Sequence, residues 1–270
     1  MLSRRPIVLL TDFGYRDPYV GVMKGVIKTI NPYAEIIDLT HNIRRQDVLE
    51  AAVVLLVSAK YFPVDTIFTC VVDPGVGSGR RAILIKTRNY YLVGPDNGCL
   101  SLLAKKDDIV NVYDVSDSEF TLKDKSWTFH GRDLFAPISA YLSLGYPPER
   151  LGVEVSKDSI KYIELEDPRI LDDGLEARVL YIDVFGNIML NIEEKTVESL
   201  GIGFGEELTI TIGEKTIDCR FVKTFSQVRE KDFACYINSW GYFEIAIYMG
   251  NASQELGVSP GDTVLIKRKT

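Results

Sequence analysis

Residues 66–81 read Thr66-Ile67-Phe68-Thr69-Cys70-Val71-Val72-Asp73-Pro74-Gly75-Val76-Gly77-Ser78-Gly79-Arg80-Arg81. An apolar run of strand length ends in a carboxylate and a proline, and three glycines in five residues follow. Two arginines then lead into a second apolar run, Ala82-Ile83-Leu84-Ile85. Pro74 stops the strand, and the glycines let backbone approach another group closely. A carboxylate at the C-terminal tip of a strand in an α/β sheet stands where such sheets bind ligands. Taken alone, the stretch also fits a tight surface turn with a solvated Asp and Arg.

The flanking sequence repeats the pattern. Residues 6–10 form a short apolar strand that ends in Thr11-Asp12-Phe13-Gly14. Asp17-Pro18 reads as a helix N-cap with proline in the first turn, opening a helix over residues 19–30 with Val22, Val26 and Ile30 on its apolar face. A second strand is expected over 34–39 and a second, very apolar helix over 46–61. Residues 81–87 and 90–93 read as two strands around a turn, the latter ending in Gly94-Pro95-Asp96-Asn97-Gly98. Thr128-Phe129-His130-Gly131-Arg132-Asp133 opens a further apolar helix. Strand and helix alternate to about residue 150, which predicts an α/β domain with a mostly parallel central sheet over residues 1–150. Residues 151–173 are charged and irregular, a linker by composition. From residue 174 to 270, short strands recur about every ten residues between glycine-containing turns, the pattern of an all-β barrel.

Composition narrows the function. Of 270 residues, 46% are hydrophobic and 26% charged, as in an ordinary globular protein. No apolar run approaches the ~18 residues that span a bilayer, and no cleavable leader precedes the first strand, so a cytoplasmic protein without membrane partners is expected. A net charge of -7 argues against nucleic acid. The four cysteines (Cys70, Cys99, Cys219, Cys235) form no framework and are expected as buried free thiols. With only His41 and His130 available, a histidine-rich zinc site is excluded.

Polar constellations fall at Asp12/Asp17, Asp73/Arg80, Asp96/Asn97 and His130/Arg132/Asp133, and a doubly wound sheet brings such tips to one edge. The glycine cluster after Asp73 lacks the Lys and Ser/Thr of a phosphate loop, and no G-x-S-x-G elbow exists. The aspartates leave open a magnesium-dependent phosphohydrolase, with Arg80 and Arg132 competing with the cation or serving a phosphate.

Thr11-Asp12-Phe13-Gly14, Asp73-Pro74-Gly75-Val76-Gly77, Gly94-Pro95-Asp96-Asn97-Gly98 and Phe129-His130-Gly131-Arg132-Asp133 occur in that order, followed by Phe185-Gly186-Asn187 and Asn238-Ser239-Trp240-Gly241. Together they resemble the adenosine-forming S-adenosyl-L-methionine (SAM) hydrolases, relatives of the fluorinase and chlorinase. The resemblance spans nearly the whole chain. It implies a homotrimer with sites between one subunit's N-terminal domain and its neighbour's C-terminal domain, and no metal or other cofactor. It also implies attack of water on the 5′ carbon of SAM, giving adenosine and methionine, with Asp73, Arg80 and His130 as the catalytic set that orients or activates the water. The intrinsic pKa of a histidine suits His130 as the base, with Asp73 orienting it or the water and Arg80 holding the carboxylate. The fluorinase pattern has tyrosine where Asp73 stands and Tyr-Ser where His130-Gly131 stand, so the set present here favours water over halide.

By the same resemblance, Asp12 grips the ribose hydroxyls, Asp17 and Asp183 approach the methionine amino group, and Ser239 its carboxylate. Phe185 and Phe225 flank the adenosine, Asn187 reads the adenine edge, and Ala252 offers a backbone contact beside it. Trp240 departs from an arginine in the fluorinase pattern, and Gln46 from a tryptophan. A SAM- or adenosine-binding protein without turnover would carry the same binding residues.

Overall fold

The computed structural model describes residues 5–269. The chain divides between residues 163 and 164 into two compact units. In chain order the first contains β1 (Ile7–Thr11), α1 (Tyr19–Ile30), β2 (Ile36–Thr40), α2 (Val48–Ser58), β3 (Ile67–Val71), β4 (Ala82–Thr87), β5 (Tyr91–Pro95), α3 (Ser101–Lys106), β6 (Ile109–Asp114), α4 (Ala136–Ser143), α5 (Pro148–Leu151) and β7 (Val153–Val155).

These strands form one sheet in the order β2-β1-β3-β5-β4-β6-β7. Five of the seven run in one direction; β4 and β7 oppose them. Every residue of β1 and β3 is buried, as expected for unalternating apolar strands covered on both faces. Ile7 and Leu9 point into a core with Met23, Ile27, Ile138 and Leu142, beneath α1 and α4. Val8 and Leu10 point the other way, to Ala51, Leu55, Leu100 and Leu103 under α2 and α3. Each such Leu or Ile contributes about 1.5–3 kcal/mol by leaving water. Parallel pairing of β1 with β3 sets Thr11 opposite Val71, so the loops that carry Asp12 and Asp73 leave the sheet side by side.

Two local expectations change in this unit. The fully buried residues of α1 are Val20, Met23 and Ile27; the expected Val26 and Ile30 pack partly against the same core, and only Val22 of the expected face is exposed. Asp17 makes no cap; the N-cap position is Pro18, and the Asp17 side chain is left for other use.

The second unit contains β8 (Arg169–Leu171), β9 (Gly174–Ile182), β10 (Ile188–Glu193), α6 (Glu194–Ser199), β11 (Glu207–Ile212), β12 (Lys215–Phe221), β13 (Phe233–Ile237), β14 (Tyr242–Ile247), α7 (Ala252–Leu256) and β15 (Thr263–Arg268). Strands β10-β14-β13-β12-β11-β15-β9 form a ring, closed by pairing of β10 with β9, and β8 lies outside on β9. Closure leaves the ring without an open edge. The α/β domain and the barrel are therefore both present.

Residues 151–173, irregular by composition, carry structure at both ends. β7 extends the first sheet through β6, and β8 pairs with β9. Backbone N–H groups of Lys161 and Ile163 donate to Asp96 (2.8 Å) and to the Ser101 hydroxyl (3.0 Å). Cys70 and Cys99 are free and buried, but Cys219 and Cys235 form a disulfide. They sit on the neighbouring strands β12 and β13 with Cα atoms 5.9 Å apart, a proximity that a 16-residue separation does not advertise.

Candidate active site

The loop after β3 folds back on itself. Val76 N–H donates to the Asp73 carbonyl (3.2 Å) and Ser78 N–H to that of Gly75 (3.1 Å). Gly77, at φ +76°, lies so close to the Trp127 carbonyl that an added Cβ would stand 2.5 Å from its oxygen. The glycines thus seat this loop against the segment leading to His130.

The return of the loop brings Arg80 onto Asp73. Nε donates to Oδ1 (2.9 Å) and Nη2 to Oδ2, a two-pronged pair whose side chains are only 5% and 6% exposed. Arg80 also lies over the Phe135 ring, 5.4 Å from its centroid. Nη2 stands 2.7 Å from His130 Nδ1. A guanidinium has donors only, so Nδ1 is the acceptor, and a neutral His130 must then carry its proton on Nε2. Burial, then the Arg80 charge, hold the His130 pKa below its usual 6.5 against the opposing pull of Asp73 and Asp133. The ring is neutral near pH 7 and presents a donor. With Nδ1 taken by Arg80, this arrangement favours a donor at Nε2 over the base role expected of His130.

Asp133, fully buried, fixes the approach to His130. It accepts from Arg132 Nε (2.5 Å) and from Ser126 N–H (2.7 Å), and its carbonyl accepts from Leu122 N–H (2.9 Å). Burial pushes its carboxyl up, but the hydrogen bonds from Arg132 and Ser126 outweigh this and the pKa falls below the usual range.

Asp12, Asp17, Asp73 and His130 line one cavity of about 360 Å³ in the first unit, with Phe13, Tyr19, Phe129, Arg45 and Gln46. Phe13, Tyr19 and Phe129 form a mutually packed aromatic wall, with centroids 5.1–5.9 Å apart. Of these, the quoted motifs contain Phe13 and Phe129 without marking them as wall. Asp12 Oδ2 accepts from Gln46 N–H (2.8 Å), and Gln46 holds a left-handed φ of +64° to deliver it. Asp96 does not join the cavity; Arg81 (2.7 Å) and Lys161 N–H (2.8 Å) occupy its carboxylate. Asn97 Nδ2 instead braces the Val72 carbonyl just before Asp73 (2.9 Å). Among the described residues, no three His, Cys, Asp or Glu side chains gather as a metal-binding group.

A second cavity, of about 880 Å³, lies in the barrel unit and is lined by Asp183, Phe185, Asn187, Phe225 and Ser239. Ala252, the first residue of α7, is fully buried and does not line it. Asp183 Oδ1 accepts from the Phe185 and Asn187 N–H groups and Oδ2 from Asn187 Nδ2, all at 2.9 Å. Three of its roughly four acceptor positions are thus spent on the loop. Asn187 Oδ1 is left without a hydrogen-bond partner among the described residues, an acceptor suited to an exocyclic amine. Gly186 makes the loop possible: φ is +83°, and a Cβ would lie 2.1 Å from Asn251 Oδ1.

Phe185 is 71% and Phe225 46% exposed, and Phe225 leans on Tyr236 and Tyr248. Glu244, nearly buried, bonds the Tyr236 hydroxyl and Asn238 Nδ2 (2.8 Å). Burial raises its pKa, opposed by those two hydrogen bonds. Asn238 Oδ1 in turn accepts from Trp240 N–H (3.0 Å) and Tyr242 N–H (3.1 Å), shaping the turn that carries Ser239. Sequence reading missed Tyr236 and Glu244, whose strand alternation looks like that of any barrel residue.

The SAM hydroxide adenosyltransferase N-terminal domain matches residues 7–152, and the C-terminal domain of the same family matches residues 177–265. The chain belongs to the SAM hydroxide adenosyltransferase family. A (R)-S-adenosyl-L-methionine hydrolase of Methanocaldococcus jannaschii is 37% identical, over 96% of this chain and 95% of its own. A fluorinase of Nocardia brasiliensis is 28% identical, over 98% of both chains. The solved structure of an uncharacterized conserved protein from Thermotoga maritima superimposes with a TM-score of 0.91 at 38% identity, covering 96% of this chain and 99% of that one. Family membership thus extends across both units.

Proposed function

We propose that this protein hydrolyses S-adenosyl-L-methionine at the ribose 5′ carbon, releasing adenosine and L-methionine. The observation that carries this is the partly buried Asp73–Arg80–His130 cluster, whose Asp73 and His130 share a cavity with Asp12 and Asp17. Relatives named (R)-S-adenosyl-L-methionine hydrolase at 33–37% identity support the same reaction.

The chemistry follows from charge. A water oxygen forms its bond to C5′ as the C5′–S bond breaks, and the electron pair neutralises the sulfonium. A neutral thioether departs, so neither a general acid nor a metal is needed, and SAM is substrate, not cofactor. The surplus proton leaves the water for Asp73, which Arg80 holds with its remaining lone pairs free. His130 Nε2–H donates to the water oxygen and aims its other lone pair at C5′. Fixing water in line in a partly desolvated cavity supplies much of the acceleration. Asp12 takes the ribose hydroxyls and Asp17 the methionine ammonium; Asn187, Phe185 and Phe225 hold adenine, while Asp183 and Ser239 face the amino-acid end.

The homotrimer that the resemblance implies, in which one subunit's first unit meets its neighbour's barrel, belongs to this proposal; exposed Phe185 and Phe225 beside the barrel cavity support its being covered by another surface. Sedimentation during dilution is expected to show activity falling together with the trimer; full activity in the monomer would remove the shared site. A cytoplasmic location belongs to the same proposal. The Cys219–Cys235 bridge runs against a reducing compartment, and thiol counting on protein from cells reads its state.

The functional test uses EDTA-treated protein and follows adenosine by chromatography over many turnovers. Adenosine without added metal supports hydrolysis. Binding without adenosine would leave a binding protein, and magnesium-dependent turnover of nucleotides a phosphohydrolase. The donor role of His130 predicts that His130→Gln, whose amide can donate from near the Nε2 position, retains far more activity than His130→Ala. If His130 is the base, both variants lose about 10²–10⁴ in turnover alike.

A further inference from the structure

Beneath the Asp12 loop lies a second buried polar array that the proposed chemistry does not use. His41 follows β2 with its side chain completely buried. Nδ1 stands 2.9 Å from the Thr11 hydroxyl, and Nε2 stands 3.0 Å from Asp38 Oδ1, close but not aligned for a full hydrogen bond. Asp38 Oδ2 accepts from Lys24 Nζ (2.6 Å) and from the Tyr15 hydroxyl (3.0 Å), and the Tyr15 ring meets the imidazole edge-on at 5.0 Å. Burial pushes the Asp38 carboxyl up, yet Lys24, His41 and Tyr15 outweigh it and hold the pKa below the usual range.

The contacts run in a consistent direction. Phe13 N–H donates to Thr11 Oγ1 (3.2 Å), leaving the Thr11 hydroxyl proton for His41 Nδ1, and the Nε2 proton then faces anionic Asp38. On the other side of the loop, the His41 carbonyl accepts from Gly14 N–H (2.7 Å). One residue therefore grips the turn both before and after Asp12. A buried imidazole beside a carboxylate is costly to place, and an apolar side chain of similar volume would fill the space at less cost.

We propose that His41, backed by Asp38 and acting through Thr11, is a positioning residue that sets the Asp12 carboxylate for the two ribose hydroxyls. The proposal rests on the assignment of Asp12 to the ribose and adds a specificity device to it. Its signature is discrimination between a ribose and a deoxyribose, since the array acts only through Asp12.

The test compares adenosine with 2′-deoxyadenosine by titration calorimetry on the intact protein. Wild type is expected to prefer adenosine, and Asp12→Ala to lose that preference. Thr11→Val, which removes one hydroxyl and little volume, and His41→Leu should each cut the preference by about tenfold, the scale of one well-placed hydrogen bond. Both should weaken 2′-deoxyadenosine, which keeps the 3′ hydroxyl, clearly less than they weaken adenosine. His41→Asn, which restores a polar atom near Nδ1, should recover part of the preference. Equal weakening of both nucleosides in Thr11→Val, or an intact preference there while Asp12→Ala abolishes it, would overturn the role of His41. An intact preference in Asp12→Ala would instead remove the ribose assignment itself, and the proposal with it.

Discussion

Replacing Asp73 by asparagine is expected to lower SAM turnover by about 10²–10⁴ while leaving adenosine affinity within a few-fold of wild type. The carboxylate takes two hydrogen bonds from Arg80 and lines the cavity together with His130, so its free lone pairs are available to take the proton in the proposed mechanism. An asparagine amide turns one of those positions into a donor facing a guanidinium that only donates. In the proposed assignment Asp12 and the barrel residues hold adenosine, so its binding does not call on that acceptor. Steady-state turnover and calorimetric adenosine binding separate the two effects. Retention of turnover within tenfold, or parallel loss of adenosine binding, would assign Asp73 to binding and not to proton transfer.

Arg80→Met should have the largest effect on stability. Both partners of the Arg80–Asp73 pair are more than nine-tenths buried, so removing the cation strands an anion away from water. Breaking such a pair from one side costs about 3–5 kcal/mol. For a unit of this size that lowers the melting temperature by roughly 10 °C. The double variant Arg80→Met/Asp73→Leu should recover most of the loss, because an apolar pair needs no partner. Circular dichroism melts of the three proteins decide it; an unchanged single variant would show that the pair is solvated.

The same cluster sets the pH response. His130 is held below 6.5 in the folded protein, so the unfolded chain takes up the proton first as pH falls. Its contribution to stability is complete above 6.5 and is lost as pH drops through the folded value. Activity requires the neutral ring and should follow the same acid limb, with a plateau through neutral pH.

Fold and site differed in how plainly the sequence expressed them. β1 and β3 are unbroken apolar runs ending in Asp12 and Asp73, so a buried parallel sheet with carboxylates at its edge could be read directly. The barrel followed from strand spacing and turn glycines. Asp96 showed the limit of that logic: it ends a strand in the same way, but Arg81 and Lys161 claim it for structure. The tautomer of His130 was not readable, since it depends on Arg80 reaching across 50 residues to one ring nitrogen. Likewise, Tyr236 and Glu244 alternate along their strands like neighbouring core residues until the floor of the barrel cavity is seen. Contacts between distant segments decide such roles, and local pattern does not carry them.

Hydrolysis by water at C5′ is tested most directly by turnover of SAM in H₂¹⁸O with metal removed, followed by mass spectrometry of both products. The expected result is one ¹⁸O in the 5′ hydroxyl of adenosine for each molecule of unlabelled methionine. Absence of adenosine over many turnovers, or adenosine without the label, would contradict it.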